Sequence, residues 1–97
     1  MAIAALRWPD KDPAENLDFS MDWTDQLALT QTPDTIATMT WTVPAGLTAG
    51  AQTHANGIAT TWLSGGTAGT DYLVTCRIVT AGGRTIERNV RLYVREL

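Results

Sequence analysis

LSGGTAGTDYLVTCRIVTAGGRTIERNVRLYV, residues 63–94, reads as a Gly-rich turn, a strand, a tight Gly-Gly turn and a second strand. Tyr72, Val74, Cys76 and Ile78 share one parity, and Thr75 and Arg77 the other. Beyond Ala81-Gly82-Gly83, Val90, Leu92 and Val94 alternate with Asn89, Arg91 and Arg95. Period-two alternation across a glycine turn is the signature of a half-buried antiparallel hairpin. One residue breaks the pattern. Arg88 lies on the parity of Ile86 and Val90, so a bulge or a strand end beyond the core is expected there.

Working back from this hairpin, Leu17–Trp23 alternates without fault. Leu17, Phe19, Met21 and Trp23 face inward, and Asp18, Ser20 and Asp22 outward. The outward carboxylates also discourage edge-to-edge pairing with other molecules. Thr24–Pro33 is a connection anchored by Leu27 and Leu29. Asp34–Val43 is a Thr-rich strand. Its Ala37, Met39, Trp41 and Val43 face is the expected core side, and Ile36, Thr38, Thr40 and Thr42 form the other. Pro44-Ala45-Gly46 turns the chain. Residues 47–57 are weakly patterned, which suggests a short strand and a loose loop. Ile58–Leu63 is a further strand, with Trp62 as its large anchor. No window carries the spacing of a full amphipathic helix. The expected fold is therefore all-β, an antiparallel sandwich of about seven strands. Tyr72, near the start of the penultimate strand, stands where immunoglobulin-like domains place a tyrosine that bonds back across the preceding loop.

At 97 residues the chain has room for one core, so residues 9–97 are read as one domain behind an N-terminal arm or edge strand, 1–8. The arm is apolar up to Trp8 and is broken by Pro9 and a charged turn, Asp10-Lys11-Asp12-Pro13. It either joins its own sheet or adds to a neighbour's. Its six-residue apolar start is too short for a signal-peptide core or a membrane span.

A formal net charge of −3 argues against nucleic acid as the partner. The charge is unevenly spread. Arginines crowd the last hairpin, while Asp10, Asp12, Glu15, Asp18, Asp22 and Asp25 lie near the start. That asymmetry suits head-to-tail contact between copies, although solvated strand faces and loops that differ in sign are the simpler account. The single cysteine, Cys76, falls on an apolar face and reads as a small buried hydrophobe, consistent with folding in a reducing cytoplasm.

Little in the chain suggests chemistry. His54 has no nucleophile or ligand set around it, and Ser20 and Ser64 lack an elbow. Gly65-Gly66-Thr67-Ala68-Gly69 is followed by a strand, whereas a phosphate cradle needs a helix N-terminus. Asp10, Asp12 and Glu15 offer oxygens to a hard cation, but no longer ligand series follows them. No catalytic, cofactor or metal residue is assigned. Four tryptophans raise the question of sugar stacking, yet Trp23, Trp41 and Trp62 sit on apolar parities and read as core. Trp8, at the arm's end, is the candidate anchor for a partner. Trp41, Trp62, Tyr72 and Cys76 are the expected structural residues.

Several segments, in order, carry a resemblance. They are Arg7-Trp8-Pro9-Asp10-Lys11-Asp12-Pro13, Leu17-Asp18-Phe19, Asp22-Trp23, Trp41-Thr42-Val43-Pro44-Ala45-Gly46-Leu47, Trp62 to Thr70, and Thr80-Ala81-Gly82-Gly83-Arg84-Thr85. In this order the chain resembles the phage fibre–tail adaptor proteins of tailed phages. It departs from them before Arg7 and around Gln52–Asn56. The resemblance implies an immunoglobulin-like, non-enzymatic virion component of the tail region, assembled in the host cytoplasm. It would join tail or neck parts to fibres, in several copies, without cofactor, nucleic acid or membrane. A head-decoration or glycan-binding module is the alternative. Docking is expected through Ile3, Leu6 and Trp8 of the arm, through Arg88, Arg91 and Arg95, and through Asp18 and Asp22 on another copy.

Overall fold

Alternating apolar residues become strands only where a second sheet covers them, and here two sheets cover each other. The structure, a computed structural model, describes residues 6–24, 27 and 34–97. These contain β1 (Leu6–Arg7), β2 (Leu17–Asp22), β3 (Ile36–Thr42), β4 (Leu47–Ala55), β5 (Ile58–Gly65), β6 (Thr70–Thr80) and β7 (Thr85–Val94). One sheet runs β1-β7-β6-β3 and the other β2-β5-β4. All pairs are antiparallel except β1 on β7, which is parallel. The fold is an all-β sandwich.

Both inner faces feed one core. Phe19, Met21, Ala59 and Leu63 come from the three-stranded sheet. Trp41, Tyr72, Val74, Cys76, Ile78, Val90, Leu92 and Val94 come from the four-stranded sheet. The β6–β7 ladder runs without interruption from Thr70↔Val94 to Val79↔Thr85. The bulge expected near Arg88 is therefore absent. Arg88 keeps its inward parity opposite Cys76, and β1 covers β7 only at Val90 and Arg91. Its guanidinium donates to the Glu87 carbonyl at 2.8 Å.

Two further departures from the sequence reading have physical causes. Ile36 is buried although its strict parity assigns it to the outer face; a register shift between Ile36 and Thr38 turns it into the core. Residues 47–57 are not a short strand and a loose loop. They form a nine-residue strand closed onto β5 by a two-residue turn, Asn56-Gly57. Both turn residues have positive φ, 54° and 80°, as a type I′ hairpin requires. Between Trp23 and Leu27 the chain bonds as a helix does, with the Leu27 N–H donating to the Trp23 carbonyl at 2.9 Å. Leu27 is buried, whereas Leu29 lies outside the described residues.

Candidate docking surfaces

Along one edge of the sandwich, the chain from β1 onward fastens the two sheets together. Trp8 is half-buried. Its ring packs on Phe19 and Trp41, with centroids 4.8 and 5.8 Å away. Its indole N–H donates to the Ser20 carbonyl at 3.0 Å, so the side chain spans from one sheet to the other. The ring of Trp8, expected to meet a partner, is thus packed in part on its own core. Leu6 remains exposed (44%). Beside it, a groove of about 230 Å³ is lined by Leu6, Arg7, Trp8, Ser20, Met21, Asp22 and Val90. Ile3 lies outside the described residues.

The residue that sequence reasoning missed here is Lys11. It is fully buried (0% exposed), and its ammonium donates to the carbonyls of Asp12 (2.8 Å) and Gly65 (2.7 Å). Burial lowers its pKa, against the opposing pull of Glu15 and Asp12. Hydropathy gives no hint of a buried lysine. The available signal was its place in a rigid Asp-Lys-Asp-Pro turn. The acidic groups around it are satisfied by protein donors. Asp12 accepts from the N–H groups of Ala14 and Leu97, and Glu15 accepts from the Asp12 N–H. Among the described residues no acidic or His/Cys group is arranged to hold a metal.

On the outer face of the four-stranded sheet, Leu73 (47% exposed) stands directly across from Arg91. Arg91 pairs with Asp71 at 3.0 Å, and Arg95 pairs with Asp10 at 2.8 Å. Both arginines, expected to meet an outside acidic surface, thus have partners within the chain, and both pairs are solvent-exposed. Exposed pairs of this kind contribute about 0–1 kcal/mol each. On the outer face of the other sheet, Asp18 stands across from Trp62, and Asp22 across from Ile58. The Asp22 carboxylate takes the hydroxyl and N–H of Thr24, which lowers its pKa.

Trp62 is a correction. It is 41% exposed, while Ala59, Thr61 and Leu63 on the opposite parity of β5 are fully buried. The error came from ranking residues by size. Alternation in Ala59-Thr60-Thr61-Trp62-Leu63 is ambiguous, and the sheet buries the smaller set. Across from Trp62 on β4, Gly50 carries no side chain; a Cβ there would sit 3.3 Å from the Trp62 Cβ.

The remaining marked residues are internal. Trp41 is buried. The Tyr72 hydroxyl accepts the Thr67 N–H at 2.8 Å across the preceding glycine loop. Its ring leaves no room for a Cβ at Gly46, which would come within 2.9 Å of the hydroxyl. Cys76 is fully buried, and loss of water pushes its thiol up to about 11. His54, expected in a loop, lies on β4 and lines an open groove of about 330 Å³ with Thr24, Leu27 and Asp34. The Asp34 carboxylate is occupied by the Thr35 and Gly82 N–H groups and by Arg84. No acid–base pair is therefore assembled there. No described helix is long and apolar enough to cross a membrane.

What the chain does offer is surface, two outer sheet faces and a fastened edge. No curated protein sequence matches it. A family model does, that of the podophage GP4 fiber-tail adaptor protein gp77, across residues 11–93. The match begins at the buried lysine and ends within β7, so it spans both sheets. The chain therefore belongs to the podophage GP4 fibre–tail adaptor family, whose name describes structural parts of a phage tail.

Proposed function

We propose that the protein joins tail or neck components to fibres in a tailed-phage particle, by docking of complementary surfaces and without catalysis. The family match over residues 11–93 carries this reading, because it runs from β2 into the end of β7 rather than over one motif. The domain is read as immunoglobulin-like. Lettered A to G in chain order, its sheets are B-E-D and A-G-F-C, close to the B-E-D and C-F-G sets of constant-type domains. Docking is assigned to three places: the arm up to Leu6, the arginine-bearing outer face of β7, and the Asp18–Asp22 face of β2. Several copies around a symmetric tail would make the stability of each depend on its neighbours.

Cryo-electron microscopy of intact particles tests this reading. Density for the sandwich at the junction of tail and fibres is the expected result, and density on the capsid would overturn it. A second reading is favoured by one observation, the exposed indole of Trp62. Sugars stack on such platforms, and a glycan-binding module would bind oligosaccharides as an isolated domain. Calorimetric titration of the free protein with host surface glycans separates the two. Binding abolished by Trp62→Ala would favour the glycan module.

A further inference from the structure

The two outer sheet faces carry matching couples of opposite sign. On the three-stranded sheet, Trp62 stands directly across from Asp18. On the four-stranded sheet, Leu73 stands directly across from Arg91. Each couple sets an exposed apolar side chain beside a charge, on neighbouring antiparallel strands about 5 Å apart. The charges continue beyond each couple. Asp22 lies four residues beyond Asp18 on the same outward parity of β2, about 13 Å along the strand. Arg95 lies four residues beyond Arg91 in sequence, one residue past the end of β7. One face therefore presents two carboxylates beside exposed Trp62 and Ile58, and the other two guanidiniums with exposed Leu73 beside the first.

We propose that these two faces dock on each other between copies of the chain, front to back. Asp18 and Asp22 of one copy meet Arg91 and Arg95 of the next, and Trp62 packs on Leu73. This inference rests on the adaptor reading for its setting, and it names the partner as a second copy. Charge complementarity selects that occupant. Asp18 makes no ion pair among the described residues. Arg91 and Arg95 are held only by exposed pairs, with side chains 49% and 56% accessible, so exchanging partners costs little. The indole adds contact area and a flat face over which a guanidinium can lie. Because the two faces differ, the contact is heterologous. It closes into a ring when the rotation between copies divides a full turn.

Charge reversal, one face at a time, tests the docking on the full chain. Asp18→Arg with Asp22→Arg makes both faces basic. Arg91→Asp with Arg95→Asp makes both acidic. Sedimentation velocity across a concentration series is expected to give association of the wild type, weakened about tenfold by raising salt to about 0.5 M. Each double variant alone is expected to remain monomeric. Their equimolar mixture is expected to associate again, because each face then meets its opposite. Trp62→Ala is expected to weaken association about tenfold. Circular dichroism confirms that every variant is folded, and these outward side chains contribute nothing to the core. A mixture that stays monomeric while the wild type associates would overturn the proposal, as would a wild type monomeric throughout the series.

Particle images separate this failure from that of the adaptor reading. Copies at the tail–fibre junction that cover the Trp62 face with another protein or with glycan would sink the front-to-back contact and leave the adaptor standing. Absence from the tail would sink the adaptor reading, while the mixing experiment still decides the contact.

Discussion

The hairpins β6–β7 and β4–β5 are held by long antiparallel ladders, yet their sequences have almost nothing in common. In the first, alternate residues are buried along β6 and the second half of β7: Tyr72, Val74, Cys76, Ile78, then Val90, Leu92 and Val94. In the second, β4 is exposed at every position after Leu47. The first announces itself by side-chain period. In the second, β4 is silent, and only Asn56-Gly57, two residues whose left-handed backbone closes the turn, marks its pairing with β5. Alternation records burial rather than pairing, so a strand at an open edge leaves its trace mainly at the turn.

That contrast can be broken most strongly from the core side. Leu92→Ala is expected to cost about 2–5 kcal/mol in urea unfolding, because it opens a cavity where both sheets meet. Thr53→Ala on β4 is expected to fall within about 0.5 kcal/mol. Similar losses would mean that β4 is covered after all. Next comes the turn. Gly57→Ala is expected to cost about 1–2 kcal/mol from its positive φ, with an added clash against the Thr24 methyl, 2.9 Å from the new Cβ. Gly83→Ala in the other hairpin has a similar φ and nothing within 4 Å, so the difference between the two isolates the clash.

Acid gives a gentler probe of the β6–β7 turn. Asp34 titrates at about 2, below its ordinary 3.8, held by the Thr80 hydroxyl foremost and by the Thr35 and Gly82 N–H groups and Arg84. A depressed carboxylate lends its stability above its free pKa and loses it as pH falls through the folded one. Melting temperature should therefore decline between pH 3.8 and about 2, and Asp34→Asn should flatten that part of the profile. An unchanged profile in the variant would remove Asp34 from the turn's stability. The smallest effect is reserved for Trp62→Ala, within about 0.5 kcal/mol, because its indole is a surface group.

Much of the fold was legible because Phe19, Met21, Val74, Leu92 and their neighbours are both apolar and correctly spaced. The failures have separate causes. Ile36 reaches the core by a register shift that parity cannot express. Trp62 was assigned by size where its strand offered two plausible faces. Lys11 is buried by bonding to carbonyls of residues adjacent and distant, Asp12 and Gly65, and hydropathy carries no information about such a bond. The candidate surfaces were partly legible as charge. Asp18, Asp22, Arg91 and Arg95 were visible in the sequence, but the internal partners of the two arginines, Asp71 and Asp10, depend on the fold.

The parallel seating of β1 on β7 has a mechanical consequence. Force applied at Leu6 and at Leu97 pulls the two strands past each other along their length. The Trp8–Arg91, Lys11–Tyr93 and Arg95–Lys11 backbone bonds, with the Asp10–Arg95 ion pair, then resist in shear and must yield nearly together. An antiparallel pair loaded at its open end would peel one bond at a time. A tether attached through these two ends would bear tension in the direction in which the sandwich is hardest to open.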